Sequence, residues 1–100
     1  MKKTKDKKRH FVYIVCCSDG TYYTGYTPDL KKRLKAHNEG KGARYTRGRG
    51  PVRLVWFEES RDLNEALKRE YDIKEMTRKE KEELVSEVKI GTDTYFLCRK

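Results

Sequence analysis

Five side chains of this chain have the chemistry that a phosphodiester-cutting site needs. The set holds two phenols, a guanidinium, an imidazole and a carboxylate: Tyr13, Tyr23, Arg33, His37 and Glu70. Arg33 and His37 are four residues apart, so on a helix they would share one face. Whether the five side chains act together depends on the strands and helices that carry them.

The two tyrosines fall in adjacent segments that are rich in β-branched and aromatic residues, FVYIVCC and TYYTGY. The Ser-Asp-Gly sequence between these segments predicts a β-hairpin. A two-residue Asp-Gly loop would pair Tyr13 with Tyr26 and place Tyr13 and Tyr23 on opposite faces of the sheet. A three-residue loop closed by a left-handed glycine would pair Tyr13 with Gly25 instead, so that both phenols share one face.

The segment after the hairpin predicts the helix that carries the arginine and the histidine. Thr27 is predicted as its N-cap, with Pro28 in the first helical position, where a missing N–H costs little. Gly40 is a typical helix stop. Leu30 and Leu34 are spaced to pack on the hairpin, which places Arg33 and His37 on the neighbouring face.

A second helix is predicted to carry the glutamate. Asp62 and Glu65 form an N-terminal capping pair, and the residues that follow predict a buried stripe: Ala66, Leu67 and Ile73. Glu70 falls on that stripe. Because burying an unpaired carboxylate is very unfavourable, we expect Glu70 to be paired, to bind a metal ion, or to lie at the edge of the stripe.

Two further elements complete the expected core. Residues 52–57 predict a third strand, and Thr77 with Glu80 predicts a capping box that opens a charged third helix reaching about Val88. The chain of 100 residues is long enough for one domain. We therefore expect an α/β (α+β) fold in which a short antiparallel three-stranded sheet packs with two to three helices.

With these residues in place, the chain resembles the GIY-YIG nuclease superfamily. Phe-Val-Tyr at 11–13 stands where the superfamily has its first Gly-Ile-Tyr element, and Tyr-Thr-Gly at 23–25 stands where it has Tyr-Ile-Gly. Arg33, His37 and Glu70 fall at its helical arginine, its histidine and its metal-binding glutamate.

The resemblance covers residues from about 11 to 83 and is strongest to the small single-domain bacterial members of the YhbQ/YazA type. Three runs of residues carry this closer likeness: Cys-Ser-Asp-Gly, His-Asn-x-Gly, and the glycine- and arginine-rich run at 40–48. Two departures are evident. The glycine and isoleucine of the first element are replaced, and the asparagine that many relatives carry after the glutamate is absent.

The resemblance implies an endonuclease that acts in DNA repair or processing, with DNA favoured over RNA as its substrate. Tyr13, helped by His37 or Tyr23, would take a proton from the attacking water. Arg33 would stabilise the charge that develops on the phosphate, and Glu70 would hold one divalent cation, Mg²⁺ or Mn²⁺. Two alternatives remain open: a nucleic-acid-binding or accessory protein without useful turnover, and a protein-interaction module that uses the third helix.

Positive charge is concentrated in the half of the chain that holds the motifs. The chain carries a net charge of +9, and acidic residues slightly outnumber basic ones after residue 55. A loop without acids supplies the candidate nucleic-acid contacts: Lys41, Arg44, Tyr45, Arg47, Arg49 and Arg53. Tyr45 is expected to stack on a base, and the arginines to bind phosphates.

The ends of the chain and the cysteines indicate the domain bounds and the cellular compartment. We expect residues 1–10 to form a basic disordered arm, 11–88 the GIY-YIG domain, and 89–100 a C-terminal extension that could add an edge strand. The chain has no run that could span a membrane, and its first apolar stretch is too short for a secretory signal. Three cysteines cannot all pair within one monomer and lack zinc-site spacing, so a reducing cytoplasm is expected. A targeting protein could act as a partner.

Overall fold

The structure is a computed structural model that describes residues 9–87. Three antiparallel strands form one sheet in the order β2-β1-β3: β1 His10–Cys16, β2 Tyr22–Thr27 and β3 Arg53–Ser60. The predicted α+β architecture is confirmed, and β3 begins one residue later and ends three residues later than the predicted strand. Residues 1–8 of the expected arm, Val88 and the whole expected C-terminal extension lie outside the described residues.

The hairpin adopts the three-residue loop. Gly20 has a φ of 87°, and the Cys17 N–H donates to the Thr21 carbonyl at 2.8 Å. Tyr13 consequently pairs with Gly25, and Val15 pairs with Tyr23. Because side chains alternate along a strand, this register places both candidate phenols on the same face of the sheet.

The two faces of the sheet have separate cores. One face packs under α1, Leu30–Asn38, with these buried side chains: Tyr13, Val15, Cys17, Val52 and Leu54. The other face packs under α2, Leu63–Lys74, and α3, Arg78–Glu87, with these buried side chains: Val12, Ile14, Trp56, Ala66 and Ile73. A β-bulge in the β1–β3 pairing lets neighbouring Ile14 and Val15 pair with Trp56 and Leu54, which are two residues apart.

The N-cap of helix α1 lies two residues after the predicted cap. Asp29 is the N-cap, and its carboxylate accepts the Lys32 N–H at 3.1 Å. The predicted Thr27 cap is wrong because Thr27 still pairs with Phe11 in the sheet, and its hydroxyl accepts the Asp29 N–H at 3.0 Å. Pro28 therefore precedes the cap instead of occupying the first helical position.

The end of α1 turns the chain back over the helix. Gly40 has a φ of 79°, and its N–H donates to the His37 carbonyl at 3.1 Å. The Lys41 N–H donates to the Ala36 carbonyl at 2.8 Å, which completes a Schellman motif. The predicted stop at Gly40 is confirmed, and the loop that follows passes directly beside His37.

The predicted N-cap of helix α2 is confirmed, but its predicted buried stripe is wrong at one residue. The Asp62 carboxylate accepts the Glu65 N–H at 2.8 Å. Ala66 and Ile73 are fully buried, as predicted, but Leu67 is 43% exposed. Leu67 follows Ala66 by one residue and is therefore turned about 100° away from the buried line.

Helix α3 begins with the predicted capping box. The Thr77 N–H donates to the Glu80 carboxylate at 2.9 Å, and the Glu80 N–H donates to the Thr77 hydroxyl at 3.1 Å. Arg78 ties this end of the helix to the hairpin, since its guanidinium lies 4.0 Å from the Tyr22 ring centroid and donates to the Gly20 carbonyl. None of the described helices is long and apolar enough to cross a membrane.

Candidate active site

A buried hydrogen bond joins two of the predicted side chains. The Tyr13 hydroxyl lies 2.9 Å from Nε2 of His37, and each residue is only 1% exposed. Tyr23 completes the cluster, because its ring centroid lies 5.5 Å from the His37 ring and 6.4 Å from the Tyr13 ring. The hairpin and α1 thus bring together three side chains that the sequence places up to 24 residues apart.

A residue that the sequence analysis did not single out holds the far side of His37. Nδ1 of His37 lies 2.8 Å from the hydroxyl of Thr46, which in turn donates to the Ala43 carbonyl at 3.0 Å. Thr46 is 1% exposed although it lies in a short 3-10 turn between exposed neighbours. The only sequence signal for Thr46 is its place in the glycine- and arginine-rich run at 40–48 that carries the family likeness.

Gly25 provides the space in which the Tyr13 phenol lies. A Cβ at this position would lie 2.5 Å from the Tyr13 hydroxyl oxygen and 3.1 Å from the Tyr23 ring. The Tyr13 ring cannot move away easily, since it is buried and bonded to His37. The third position of the Tyr-Thr-Gly element is therefore required for steric reasons.

We expect Gly25→Ala to lower the free energy of unfolding by roughly 1–3 kcal/mol, the usual cost of overpacking a core. Thermal or urea unfolding followed by circular dichroism measures the change. Gly50→Ala is the matched control, because a Cβ there meets only the Asn38 carboxamide oxygen at 3.9 Å. Equal stability of the two variants would show that Tyr13 can leave its observed position at no cost.

Arg33 supplies a positive charge beside the buried pair. It lies half-buried on α1, one turn before His37. Burial, and to a smaller extent the charge of Arg33, lower the pKa of His37 to about 4. The imidazole is therefore neutral near neutral pH. Across residues 9–87 the guanidinium takes part in no hydrogen bond or ion pair.

The Tyr13 phenol is protonated in this environment. Burial raises its pKa well above the ordinary value, Tyr23 and Glu70 raise it as well, and Arg33 acts in the opposite direction. A phenol in this state donates its proton in a hydrogen bond. It can act as a base only if a nearby group accepts that proton or if positive charge is added to the site.

Glu70 lies at the edge of the buried stripe of α2 and is paired. Its side chain is 17% exposed, and its carboxylate lies 2.9 Å from the Lys74 ammonium, one turn along the helix. Its charge affects the pKa of Tyr13. Within residues 9–87 no group of three or more His, Cys, Asp or Glu side chains could hold a metal ion together.

The basic loop joins the site through an aromatic stack. Tyr45 stacks on Tyr23 with ring centroids 5.7 Å apart, and the Arg49 guanidinium lies 4.3 Å from the Tyr45 centroid. The Arg49 guanidinium forms an ion pair with the Asp19 carboxylate at 2.6 Å, so this arginine connects the loop to the hairpin turn.

The other loop residues fall into two groups. Lys41, Arg44 and Arg47 are exposed on the loop. Arg53 begins β3 and pairs with Cys16, so it lies outside the loop and in the sheet. Of the expected nucleic-acid contacts, the structure therefore leaves three basic side chains exposed on the loop itself.

The tyrosines, Arg33 and His37 gather where α1 packs on one face of a three-stranded antiparallel sheet, while Glu70 lies on α2, which packs on the other face, and acts on Tyr13 through its charge. This combination of fold and residues defines a domain of the GIY-YIG class. The family described as GIY-YIG catalytic domain matches residues 9–83, and the chain belongs to it. Within that family the chain groups with the small UPF0213 proteins.

Similar proteins match over nearly their whole length. UPF0213 protein CPE1444 from Clostridium perfringens is 52% identical over 86% of this chain and 92% of its own length. UPF0213 protein HQ_3675A from Haloquadratum walsbyi is 54% identical over 84% of this chain and 91% of its own.

Two solution NMR structures share the fold. The UPF0213 protein BH0048 from Bacillus halodurans gives a TM-score of 0.53 at 52% identity, over 78% of this chain and 83% of that one. The protein EF2693 from E. faecalis gives a TM-score of 0.57 at 40% identity, over 84% of this chain and 90% of that one.

Proposed function

We propose that this protein is a cytoplasmic, metal-dependent endonuclease that hydrolyses phosphodiester bonds of nucleic acid, with DNA as its main substrate and DNA repair or processing as its role. The observation that carries the proposal is the buried hydrogen bond between Tyr13 and His37 beside Arg33. In this proposal Tyr13 is the general base, His37 accepts its proton, and Arg33 is the cation that binds the phosphate.

Tyr13 and His37 are proposed to act in one proton relay, in which Tyr13 accepts the proton of water and His37 accepts the proton of Tyr13. The Tyr13 O–H is directed at Nε2 of a neutral imidazole 2.9 Å away. When Tyr13 takes a proton from the attacking water, its own proton passes to Nε2 of His37. This transfer removes the need for a free phenolate in the resting protein.

Arg33 binds and stabilises the phosphate. Because no described residue accepts a hydrogen bond from its guanidinium, the planar fork of donors is available to two phosphate oxygens. Its charge also favours the deprotonated form of Tyr13. Substrate binding and activation of the base therefore depend on the same side chain.

Glu70 is the residue that would hold the divalent cation. One half-buried carboxylate fits Mg²⁺ or Mn²⁺, which keep several waters and share their remaining positions with substrate phosphate. Bound there, the ion would supply Lewis-acid stabilisation of the phosphate. The Lys74 ammonium, which neutralises the Glu70 carboxylate in the structure, would have to release it.

A second candidate function is nucleic-acid binding without turnover, in an accessory role. Two observations favour it: the raised pKa of Tyr13 keeps the phenol protonated, and Lys74 occupies the carboxylate of Glu70. A site of this kind would still bind a phosphate through Arg33 and the basic loop.

Cleavage assays separate the two functions. The purified protein is incubated with labelled single-stranded, duplex, flap and branched DNA and with RNA, in Mg²⁺, in Mn²⁺ and in EDTA. We expect cutting of at least one DNA substrate that requires metal and disappears in Glu70→Ala, which also excludes a contaminating nuclease. Binding without cutting on every substrate would establish the accessory function instead, and neither binding nor cutting at low salt would exclude both.

The basic loop is expected to contribute affinity through phosphate contacts. We expect the double variant Arg44→Ala, Arg47→Ala to bind DNA more weakly, and the slope of log affinity against log salt to become shallower by about 1 per lost contact. Fluorescence anisotropy over a salt series measures both quantities. Lys79→Ala, Lys81→Ala on α3 removes the same charge elsewhere and should leave the slope nearly unchanged. Equal losses in the two double variants would show that net charge, and not the loop, governs binding.

A further inference from the structure

We propose that Thr46 is a positioning residue that fixes the tautomer of His37, with the ring proton on Nδ1 and the lone pair on Nε2 directed at Tyr13. The tautomer follows from the hydrogen bonds around the ring. Its consequence for catalysis rests on the proposed nuclease function.

The direction of the chain of hydrogen bonds is set at its far end. The Ala43 carbonyl can only accept, so the Thr46 hydroxyl 3.0 Å away donates its single hydrogen to it. That hydroxyl is then an acceptor towards Nδ1 of His37, 2.8 Å away, and Nδ1 must carry the ring proton. Nε2 is left as an acceptor, and the Tyr13 O–H donates to it at 2.9 Å.

The opposite tautomer of His37 is incompatible with these donor and acceptor roles. With the proton on Nε2, the Tyr13 oxygen would become the acceptor, and Nδ1 would need a donor. The Thr46 hydroxyl could serve only by giving up its hydrogen bond to the Ala43 carbonyl. The Ala43 carbonyl would then keep only the Thr46 backbone N–H at 3.1 Å, and the Tyr13 O–H would lose its acceptor at Nε2. The observed arrangement satisfies all of these buried groups at once.

The loop holds the ring so that it cannot turn to another partner. A Cβ on Gly42 would collide with Nδ1 of His37 and would lie 2.8 Å from its Cγ, so the Gly42 backbone lies directly against the ring. The Arg49 N–H donates to the Thr46 carbonyl at 3.0 Å and fixes the far end of the same turn. The short segment from Gly42 to Thr46 therefore acts as a rigid support for the imidazole.

The fixed tautomer determines where the Tyr13 proton can go. The Tyr13 O–H bond breaks and the Nε2–H bond forms, while the Nδ1–H bond to Thr46 stays in place. In the other tautomer Nε2 already carries a proton, so the transfer is blocked. Thr46 contacts neither Tyr13 nor the substrate in this scheme, and it acts only through His37.

Nitrogen NMR of the imidazole tests the tautomer without any cleavage. Long-range ¹H–¹⁵N spectra distinguish a protonated from an unprotonated ring nitrogen, and a His10→Gln sample assigns the signals because the chain has 2 histidines. We expect a protonated Nδ1 in the native protein and in Thr46→Ser, which keeps the hydroxyl. We expect population of the Nε2–H form in Thr46→Val, which keeps the shape but cannot accept from Nδ1. A native Nε2–H form, or an unchanged Thr46→Val spectrum, would overturn the proposal.

Cleavage kinetics then test the consequence of the fixed tautomer for catalysis. We expect Thr46→Val to lower kcat by roughly 10- to 100-fold, the usual effect of losing a group that orients a catalytic side chain, with KM and DNA affinity unchanged. Thr46→Ser should recover most of the rate. A fixed Nδ1–H tautomer in a protein that cuts nothing would exclude the nuclease function and leave the structural assignment standing. Should Thr46→Val not fold, an Nε2–H form in the native protein or in Thr46→Ser would still overturn the assignment.

Discussion

The Tyr13→Phe variant is expected to cleave DNA roughly 10²- to 10⁴-fold more slowly than the native protein, the range that general acid–base groups contribute. The change removes one oxygen from a fully buried ring and leaves the packing of the ring intact. It removes both the atom that would take the proton from water and the O–H that donates to His37. The loss should therefore appear in kcat, with DNA affinity nearly unchanged.

The control for this prediction lies on the same hairpin. Tyr22→Phe removes a hydroxyl from the opposite face of the sheet, where the Tyr22 ring packs under Arg78. Its cleavage rate should stay within a few-fold of the native rate. Single-turnover rates of both variants, with enzyme in excess, measure the chemical step. A Tyr13→Phe rate equal to that of Tyr22→Phe would remove Tyr13 from the mechanism.

Tyr23 offers a further comparison, because the sequence leaves open which phenol acts. Among residues 9–87 no hydrogen-bond partner is found for its hydroxyl, whereas the Tyr13 hydroxyl is bonded to a ring nitrogen. Tyr23 contributes chiefly by packing on Tyr45 and His37. We expect its replacement by phenylalanine to have a smaller effect than the same change at Tyr13.

The parts of the site that follow local rules could be predicted from the sequence. The capping pairs at Asp62 and Thr77 and the stop at Gly40 depend on a few neighbouring residues, and all three are observed. The hairpin left two registers open, because one residue in a loop changes the face of every side chain. The positive φ of Gly20 decides between them.

The parts that depend on tertiary packing could not be predicted. Thr46 lies in an irregular turn with no periodicity, and its role appears only when α1 brings His37 to it. The Thr27 cap was wrong because strand pairing with Phe11 outweighed its preference for a helix start. The sequence predicts Leu67 in the buried stripe with Ala66 and Ile73, but its direction on the helix exposes it.

Glu70→Gln is expected to abolish metal-dependent cleavage while leaving nucleic-acid binding intact. Glutamine keeps the size and one oxygen of the side chain but loses the charge that would bind a divalent cation. Metal-ion catalysis stabilises the transition state by several kcal/mol, which corresponds to a loss of roughly 10³-fold or more in rate. Added EDTA should reduce the native protein to the rate of the variant and should leave the variant unchanged.

Glu70→Gln should also have a second effect, through the pKa of Tyr13, that favours faster cleavage. The charge of Glu70 raises the pKa of Tyr13, so its removal makes loss of the phenolic proton easier. This contribution is smaller than those of burial and of Tyr23, and it cannot compensate for a lost metal ion. If Glu70 served only to pair with Lys74, the pKa effect would act alone, and Glu70→Gln would cleave as fast as the native protein or faster.

The matched control is Glu75→Gln, which removes the same charge from an exposed position at the end of the same helix. Its rate, metal dependence and DNA affinity should equal those of the native protein. Calorimetric titration with Mn²⁺ measures metal binding directly, and only Glu70→Gln should lose it. Loss of cleavage in Glu70→Gln with Mn²⁺ binding retained would place the cation at other ligands and leave Glu70 as an electrostatic group beside Tyr13.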